Sequence, residues 1–296
     1  MKDIAEHFGV SIATVSRALN GSARVSEEKR NLICEYAHAH NFYPNDIAKS
    51  LRNSHKQPVK VIGVIVPEFT HYYFSTILNG IEDAASKRGY RIIATTSREQ
   101  YEREVQLCQM FEAHQVCGVI VSQAKETQDY AHFQSLIDRG IPLVFYGMKG
   151  KTALGQNRYN GYHDALLKAG MQPDESLVFV CDKREDAERI TPGVLSRADR
   201  PDAFFCVNDD TAIGVLYTAK HNGFRVPDDV AVCGFTNGER AIACDPQLTT
   251  VEQRGTKVGE EAATILMDKV EGLTPCDRIE KRVVKTRLVV RESTKS

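Results

Sequence analysis

The sequence predicts an α/β chain: a small three-helix head, then two doubly wound lobes with parallel sheets. Three observations predict it. Residues 1–39 carry three short amphipathic helical patterns with no strand between them. From Val61 onward, apolar runs of strand length alternate with helical patterns, the order that produces parallel sheets covered by helices. The alternation crosses a short Gly- and Lys-rich seam, "MKGKTALGQ", and then starts again.

The head begins with "KDIAEHFG", in which Ile4, Ala5 and Phe8 share a helical face and Gly9 suits a C-cap. After a Gly-Val turn, Ser11 is the N-cap of a second short helix running to Leu19. Two short helices across so tight a turn form a helix-turn-helix, with Ala5, Val10, Val15 and Leu19 as its small core. The outward face of the second helix then carries Ile12, Ala13, Thr14, Ser16 and Arg17. These are small or hydrogen-bonding groups able to approach base edges, and one is an arginine able to contact guanine with both of its terminal nitrogens. A third helix follows Ser26, its expected N-cap; Glu27 and Glu28 complement the dipole, and Ile33, Tyr36 and Ala37 face inward. Tyr43 and Pro44 end it, and Asn45 can cap "DIAKSL", a segment too short to be a stable helix alone.

After the polar linker "NSHKQPVK", the first lobe reads as strand "VIGVIVP", helix "YYFSTILNGIEDAASKRGY" and strand "RIIATTS". It continues with helix "EREVQLCQMFEAHQ", strand "CGVIVSQ", helix "DYAHFQSLIDRG" and strand "IPLVFYG". Beyond the seam come helix "NRYNGYHDALLKAG", strand "SLVFVCD", a helix through "ERITPGVLSRA" and strand "PDAFFCVND". Helix "TAIGVLYTAKHNG", strand "VAVCGFTNG" and helix "KVGEEAATILMDKVEG" complete the pattern. Two such lobes hold ligands at the carboxyl ends of their strands. That rule nominates Glu68, His71, Tyr73, Phe74, Ser122 and Gly147 in the first lobe, and Arg158, Asn208, Asp209, Thr236, Asn237 and Gln253 in the second.

Composition narrows the function. The net charge of −1 hides a basic head: residues 1–60 hold nine Lys/Arg against six Asp/Glu, whereas the remainder holds 29 against 33. A basic head on an acidic body fits a head that approaches polyanions. Eight scattered cysteines make no C-x-x-C pair, so neither a zinc site nor a disulfide framework is expected, and the thiols read as mostly buried small hydrophobes. No metal or other cofactor is expected. The chain lacks G-x-G-x-x-G, a phosphate loop, G-x-S-x-G and H-E-x-x-H, which argues against an enzyme and leaves no catalytic residues to nominate. The Asp209–Asp210 pair opens a helix, where N-capping is a simpler role than metal binding. No apolar run reaches spanning length and "MKDIAEHFGV" is no signal peptide, so the expectation is a cytoplasmic protein with no membrane partner.

"KDIAEHFGVSIATVSRALNG" followed by "RVSEEKRNLICEYAHAHNFYPNDIAKSLR" resembles the lactose/galactose repressor family of bacterial transcription regulators. "VNDDTAIGVL", "NRYNGY" and "PQLTTVEQ" extend the resemblance into the body. It implies a homodimeric repressor on a pseudo-palindromic operator, with two effector lobes of periplasmic-binding-protein type. DNA contacts would come from Ser11, Ile12, Ala13, Thr14, Ser16, Arg17, Asn20, Tyr43, Asn45, Ala48 and Leu51. Leu51 would wedge into the minor groove from a hinge helix that forms on DNA. A sugar- or nucleoside-like effector would meet His71, Tyr73, Phe74, Ser122, Arg158, Asp209, Thr236 and Gln253, with Phe74 stacking and Gln253 at the lobe junction. Gly147 and Thr236 stand where acidic residues are frequent in the family, which leaves the effector unnamed. The implied organisation is a head at 1–44, hinge helix and linker at 45–60, a first lobe at 61–147 plus about 254–272, and a second lobe at about 148–253 plus 273–296. Family members place several dozen residues where only the seam stands here. The expected result is an incomplete second lobe, short of two inner strands and a helix, with an intact head and an impaired effector response. The alternative reading is a cytoplasmic solute-binding protein that does not bind DNA specifically; a head of this pattern argues against it.

Overall fold

The computed structural model describes residues 1–19, 21–40, 42, 60–147 and 150–294, and only the backbone of 150–154. The chain divides into two units, 1–59 and 60–296. The expected hinge helix and its Tyr43, Asn45, Ala48 and Leu51, together with Asn20, lie outside the described residues.

In the first unit, α1 (Lys2–His7), α2 (Ile12–Leu19) and α3 (Glu27–Ala39) close over Ile4, Ala5, Val15, Ala18, Val25, Ile33 and Ala37, with Val10 and Leu19 half-buried at the rim. The turn works as read. Gly9 takes φ +58°, a left-handed conformation that a side chain disfavours, and Val10 N–H returns to the Ala5 carbonyl at 2.9 Å. Ser11 Oγ accepts the Thr14 amide at 3.1 Å, the expected N-cap. Ser26 does stand at the α3 N-cap, but its hydroxyl makes no cap bond. Glu27 and Glu28 remain as the dipole complement.

The first lobe of the body is complete. Strands β1 (Val61–Val66), β2 (Arg91–Thr96), β3 (Gly118–Val121) and β4 (Leu143–Phe145) pair all-parallel in the order β2-β1-β3-β4. Period-two alternation divides β1 between two cores. Ile62, Val64 and Val66 face α4 (Tyr72–Lys87), while Ile65 faces Phe111 of α5 (Tyr101–Ala113) and Phe133 of α6 (Ala131–Asp138). A late helix, Gly255–Val270, returns to this lobe and packs on α4. The two approach so closely that a Cβ on Gly80 would collide with the Thr256 carbonyl, and one on Gly259 with that of Ile77.

The second lobe departs from the pattern. Its first helix, α7 (Gly150–Lys168), includes most of the seam, so the expected Gly- and Lys-rich joint is helical from Gly150 onward. The expected strand at "SLVFVCD" does not form: Glu175–Leu177 is one 3-10 turn, and 178–182 belong to no strand. The helix predicted through "ERITPGVLSRA" is α8 (Arg184–Leu195). Strands β5 (Ala203–Phe205), β6 (Ala231–Thr236) and β7 (Thr249–Glu252) run parallel, with α9 (Asp209–His221) and α10 (Glu239–Ala243) between them. The helix Gly255–Val270 is α11. The chain then returns as β8 (Arg287–Val289), antiparallel to β7, so this sheet is mixed rather than all-parallel.

Among the described residues, the order β5-β6-β7-β8 leaves the outer edge of β5 without a strand. From Gly147 to Asp186 no described residue is buried, although the stretch includes a helix of 19 residues; Val178, Phe179 and Val180 are all exposed, Val180 at 96%. A strand is held by ladder bonds to a neighbour, and this apolar run is paired with none of the described strands. The cysteines also correct the sequence reading. All eight are unpaired, but only Cys108 and Cys206 are buried and Cys276 is exposed.

Candidate functional site

On α2 the two faces are sharply separated. Val15 and Ala18 are sealed in the head core, while Ser11, Ile12, Ala13 and Arg17 are exposed and Thr14 and Ser16 half-exposed. Ile12 keeps 51% of its surface open, an unusual allocation for an isoleucine beside so small a core. A helix that presents an arginine among small and apolar groups is suited to the major groove, where guanine acceptors and thymine methyl groups are both accessible.

The body offers a second site between its lobes. At the start of α4, His71 Nδ1 accepts the Tyr73 amide at 3.3 Å, so His71 serves as the N-cap that fixes the Tyr73–Phe74 pair. Phe74 leans on the first-lobe core and on the His71 ring, 5.4 Å between centroids. Facing Tyr73 from the second lobe is Arg158 of α7. Burial holds the Arg158 guanidinium below its usual basicity, and the Tyr73 hydroxyl partly offsets that. Burial likewise raises Tyr73, against the opposing pull of Arg158. The guanidinium lies 4.0 Å from the centre of the Phe235 ring at the end of β6 and donates to the Val207 carbonyl at 2.5 Å. Behind Tyr73, Tyr146 is buried at the end of β4. Its hydroxyl lies beside Ser122 without hydrogen-bond geometry, and burial raises it strongly. Lys125 of the first lobe and Asp182 of the second approach to 4.0 Å.

Asp209, Asn208, Thr236, Gln253 and Asn237 are engaged within the protein itself. Asp209 is buried; its carboxylate accepts the Gly238 amide at 2.8 Å and the Thr250 hydroxyl at 2.5 Å, tying α9 to β6 and β7. The α9 cap falls one residue earlier, on Asn208, whose Oδ1 accepts the Thr211 amide at 2.7 Å. Thr236 donates to Gln253 Oε1 at 3.2 Å, a link across the strand ends where the chain leaves β7 for α11. Asn237 has φ +63° and accepts from Arg291 at 2.6 Å. Thus the fold brings Tyr73 and Arg158 together, joins Thr236 to Gln253, and turns Asp209 inward. Sequence reasoning missed Phe235 and Tyr146, although both stand at strand ends beside residues it named. Among the described residues no cluster of three or more His, Cys, Asp or Glu could hold a metal, and no helix is long and apolar enough to cross a membrane.

Two family models match the chain. The family described as bacterial regulatory proteins, lacI family, matches residues 1–45, and the periplasmic binding protein-like domain matches residues 133–294, more than half of the chain. The chain is 28% identical to the HTH-type transcriptional repressor PurR of Vibrio campbellii, over 100% of this chain and 98% of that protein. It is 29% identical to the ribose operon repressor of Bacillus subtilis, over 90% of each. The first of these alignments runs over 339 positions against 296 residues here, which leaves at least 43 facing a gap in this chain. Among solved structures, the transcriptional regulator CelR–cellobiose complex is 26% identical with a TM-score of 0.69, covering 98% of both chains. The lac repressor dimer bound to operator and the anti-inducer ONPF has a TM-score of 0.80 over 99% of this chain and 98% of its own; at 22% identity this is a likeness of fold. The chain belongs to the lacI family of bacterial regulatory proteins: it is a DNA-binding transcriptional repressor, not an enzyme, with a periplasmic-binding-protein-like effector core.

Proposed function

We propose that the protein represses transcription as a homodimer on a two-fold operator, reading bases with Ser11, Ile12, Ala13, Thr14, Ser16 and Arg17, and that a sugar or nucleoside bound between Tyr73 and Arg158 modulates the complex. The observation that carries this is the two-faced α2, whose exposed Ile12, Ala13 and Arg17 lie opposite a sealed core. The family resemblance adds Asn20, Tyr43, Asn45, Ala48 and Leu51 to the DNA contacts. The cleft suits a polyhydroxylated ring: Arg158 is a donor held in place by Phe235, and Tyr73 is a phenol across from it. Similar proteins include a ribose operon repressor and a cellobiose complex, which favours sugars in the first panel to be tested. Effector binding would shift the lobes and so the spacing of the two heads.

The response to effector is weakened in this chain. Arg158 itself is anchored on Phe235 and Val207, but it stands on α7, a helix with no buried residue among those described, so the wall that carries it is weakly packed against the lobe. Two experiments test the proposal. A duplex selected from a random pool should bind with a steep loss of affinity as salt rises, and no measurable affinity at low salt would overturn DNA binding. In a thermal-shift panel of sugars and nucleosides, one compound should raise the melting temperature by less than an intact relative shows at the same saturation. A full-sized shift would refute the weakened response, and a flat panel would refute the effector class.

A further inference from the structure

Between α7 and the open edge of β5 lies a cavity of about 610 Å³, within the size range of small-molecule sites. It adjoins the interlobe cleft at Arg158 and Val207 and extends away from it, its lining including neither Tyr73, Ser122, Thr236 nor Gln253. Its walls are mostly apolar, with Leu177, Phe179, Ile190 and Val194 of α8, and Phe204 and Phe205 along β5, beside a polar side that includes Gln156, Tyr159 and Thr191. The cavity exists because no strand lies outside β5 and α7 buries none of its described side chains. Apolar voids opened by removing protein atoms bind aromatic molecules.

Charge defines the ligand further. One acid and one cation border the cavity, Glu175 and Arg158. The Glu175 carboxylate is taken by the Tyr159 hydroxyl. Arg158 makes its hydrogen bond to the Val207 carbonyl, and burial outweighs the fields of Tyr73 and Asp182 on it, so an anion at this wall would meet a cation with no direct carboxylate hydrogen bond.

We propose that this cavity is a second small-molecule site, selective for an aromatic body carrying one anionic group, such as an aryl carboxylate or sulfonate. The rings lie among Phe179, Phe204, Phe205, Ile190 and Val194, and the anion meets Arg158. The proposal shares Arg158 with the effector reading, and the variants below separate the two.

The test titrates the full chain with 8-anilino-1-naphthalenesulfonate and with its uncharged analogue N-phenyl-1-naphthylamine, taking stoichiometry from equilibrium dialysis. One sulfonate dye should bind per chain, about tenfold tighter than the uncharged one, the scale of one charge-assisted contact. Leu177→Trp, which fills the cavity from its rim, should abolish the binding, and Arg158→Met should erase the difference between the dyes. Tyr73→Phe removes a cleft hydroxyl that does not line the cavity and should change the dye affinity by less than Arg158→Met does. Circular dichroism and DNA binding report whether each variant remains folded. Several dyes per chain without saturation, equal affinity for the two dyes, or loss of the dye in Tyr73→Phe would each overturn the proposal. So would dye release as protein concentration rises, which would mark a second copy seated over the groove.

Discussion

The two lobes of the body are written in the same alternation of strand and helix, yet they are packed to different degrees. In the first, every strand of β2-β1-β3-β4 runs parallel, helices cover both faces, and the interior holds Ile62, Ile65, Ile77, Ile81, Phe111 and Leu266 without exposure. In the second, β5 has a free edge, α7 lies against the lobe with no buried residue among those described, and Phe205 is 43% exposed. The difference teaches that local pattern decides which segments want to be strands and helices, whereas burial needs the partners. "SLVFVCD" is apolar and β-prone, but it remains irregular and unpaired with the open edge of β5.

The largest expected effect tests that contrast directly. Phe111→Ala, at a fully buried position under Gly63, should destabilise the body by about 3–5 kcal/mol in chemical denaturation. Phe205→Ala, at the open edge, should move it by about 0.5 kcal/mol, within the range of surface substitutions. Comparable losses would mean that the second lobe is packed as tightly as the first.

Next in size is the cleft that joins the lobes. Arg158→Met should weaken binding of the effector found in the panel by roughly tenfold or more, since a hydrogen bond to a charged group contributes about 1.5–3 kcal/mol. Isothermal titration would show it, and an unchanged affinity would remove Arg158 from the effector site. In the head, Arg17→Ala should cost about 1–3 kcal/mol of operator affinity and relax base preference at one position per half-site. A uniform loss across all sequences would assign Arg17 to a phosphate instead.

The smallest effect sharpens the account of the complete lobe. Arg88 on the first-lobe side joins Asp268 at 2.7 Å and also Glu271, at the far end of α11. The hydrogen bond from Arg88 holds the Glu271 carboxyl below its ordinary range. A depressed carboxyl stabilises the fold above its unfolded value and loses that contribution as pH falls through the folded one. Melting of the body should therefore fall as pH drops below the ordinary carboxylate range, by no more than about 1 kcal/mol for so exposed a pair. Glu271→Gln should flatten that part of the acid profile.

Much of this was legible in the residues. The head could be read because its signals are local: Ser11 and Gly9 bracket a turn, and Val15 and Ile33 fall on inward faces by helical spacing alone. The first lobe could be read because each apolar run finds a neighbour. The site was legible as positions rather than roles. Tyr73 and Arg158 were named from strand ends and the R-x-x-G-Y run, but nothing local places the Phe235 ring under the guanidinium. His71, Asn208 and Asp209 are polar residues at strand ends like the others; the cap bonds and the inward turn that occupy them depend on the backbone amides nearby.

By itself the sequence determined the order of most elements and the helix-turn-helix with its outward face, because these follow from spacing along one chain; the shortness of the join after "IPLVFYG" showed only against the family pattern. Only the tertiary structure decided that the join becomes part of a helix, that "SLVFVCD" remains unpaired, and that an apolar cavity opens beside β5. The reason is that burial and ladder pairing are properties of neighbours in space, and the neighbours of this lobe are the ones its shortened sequence can no longer supply.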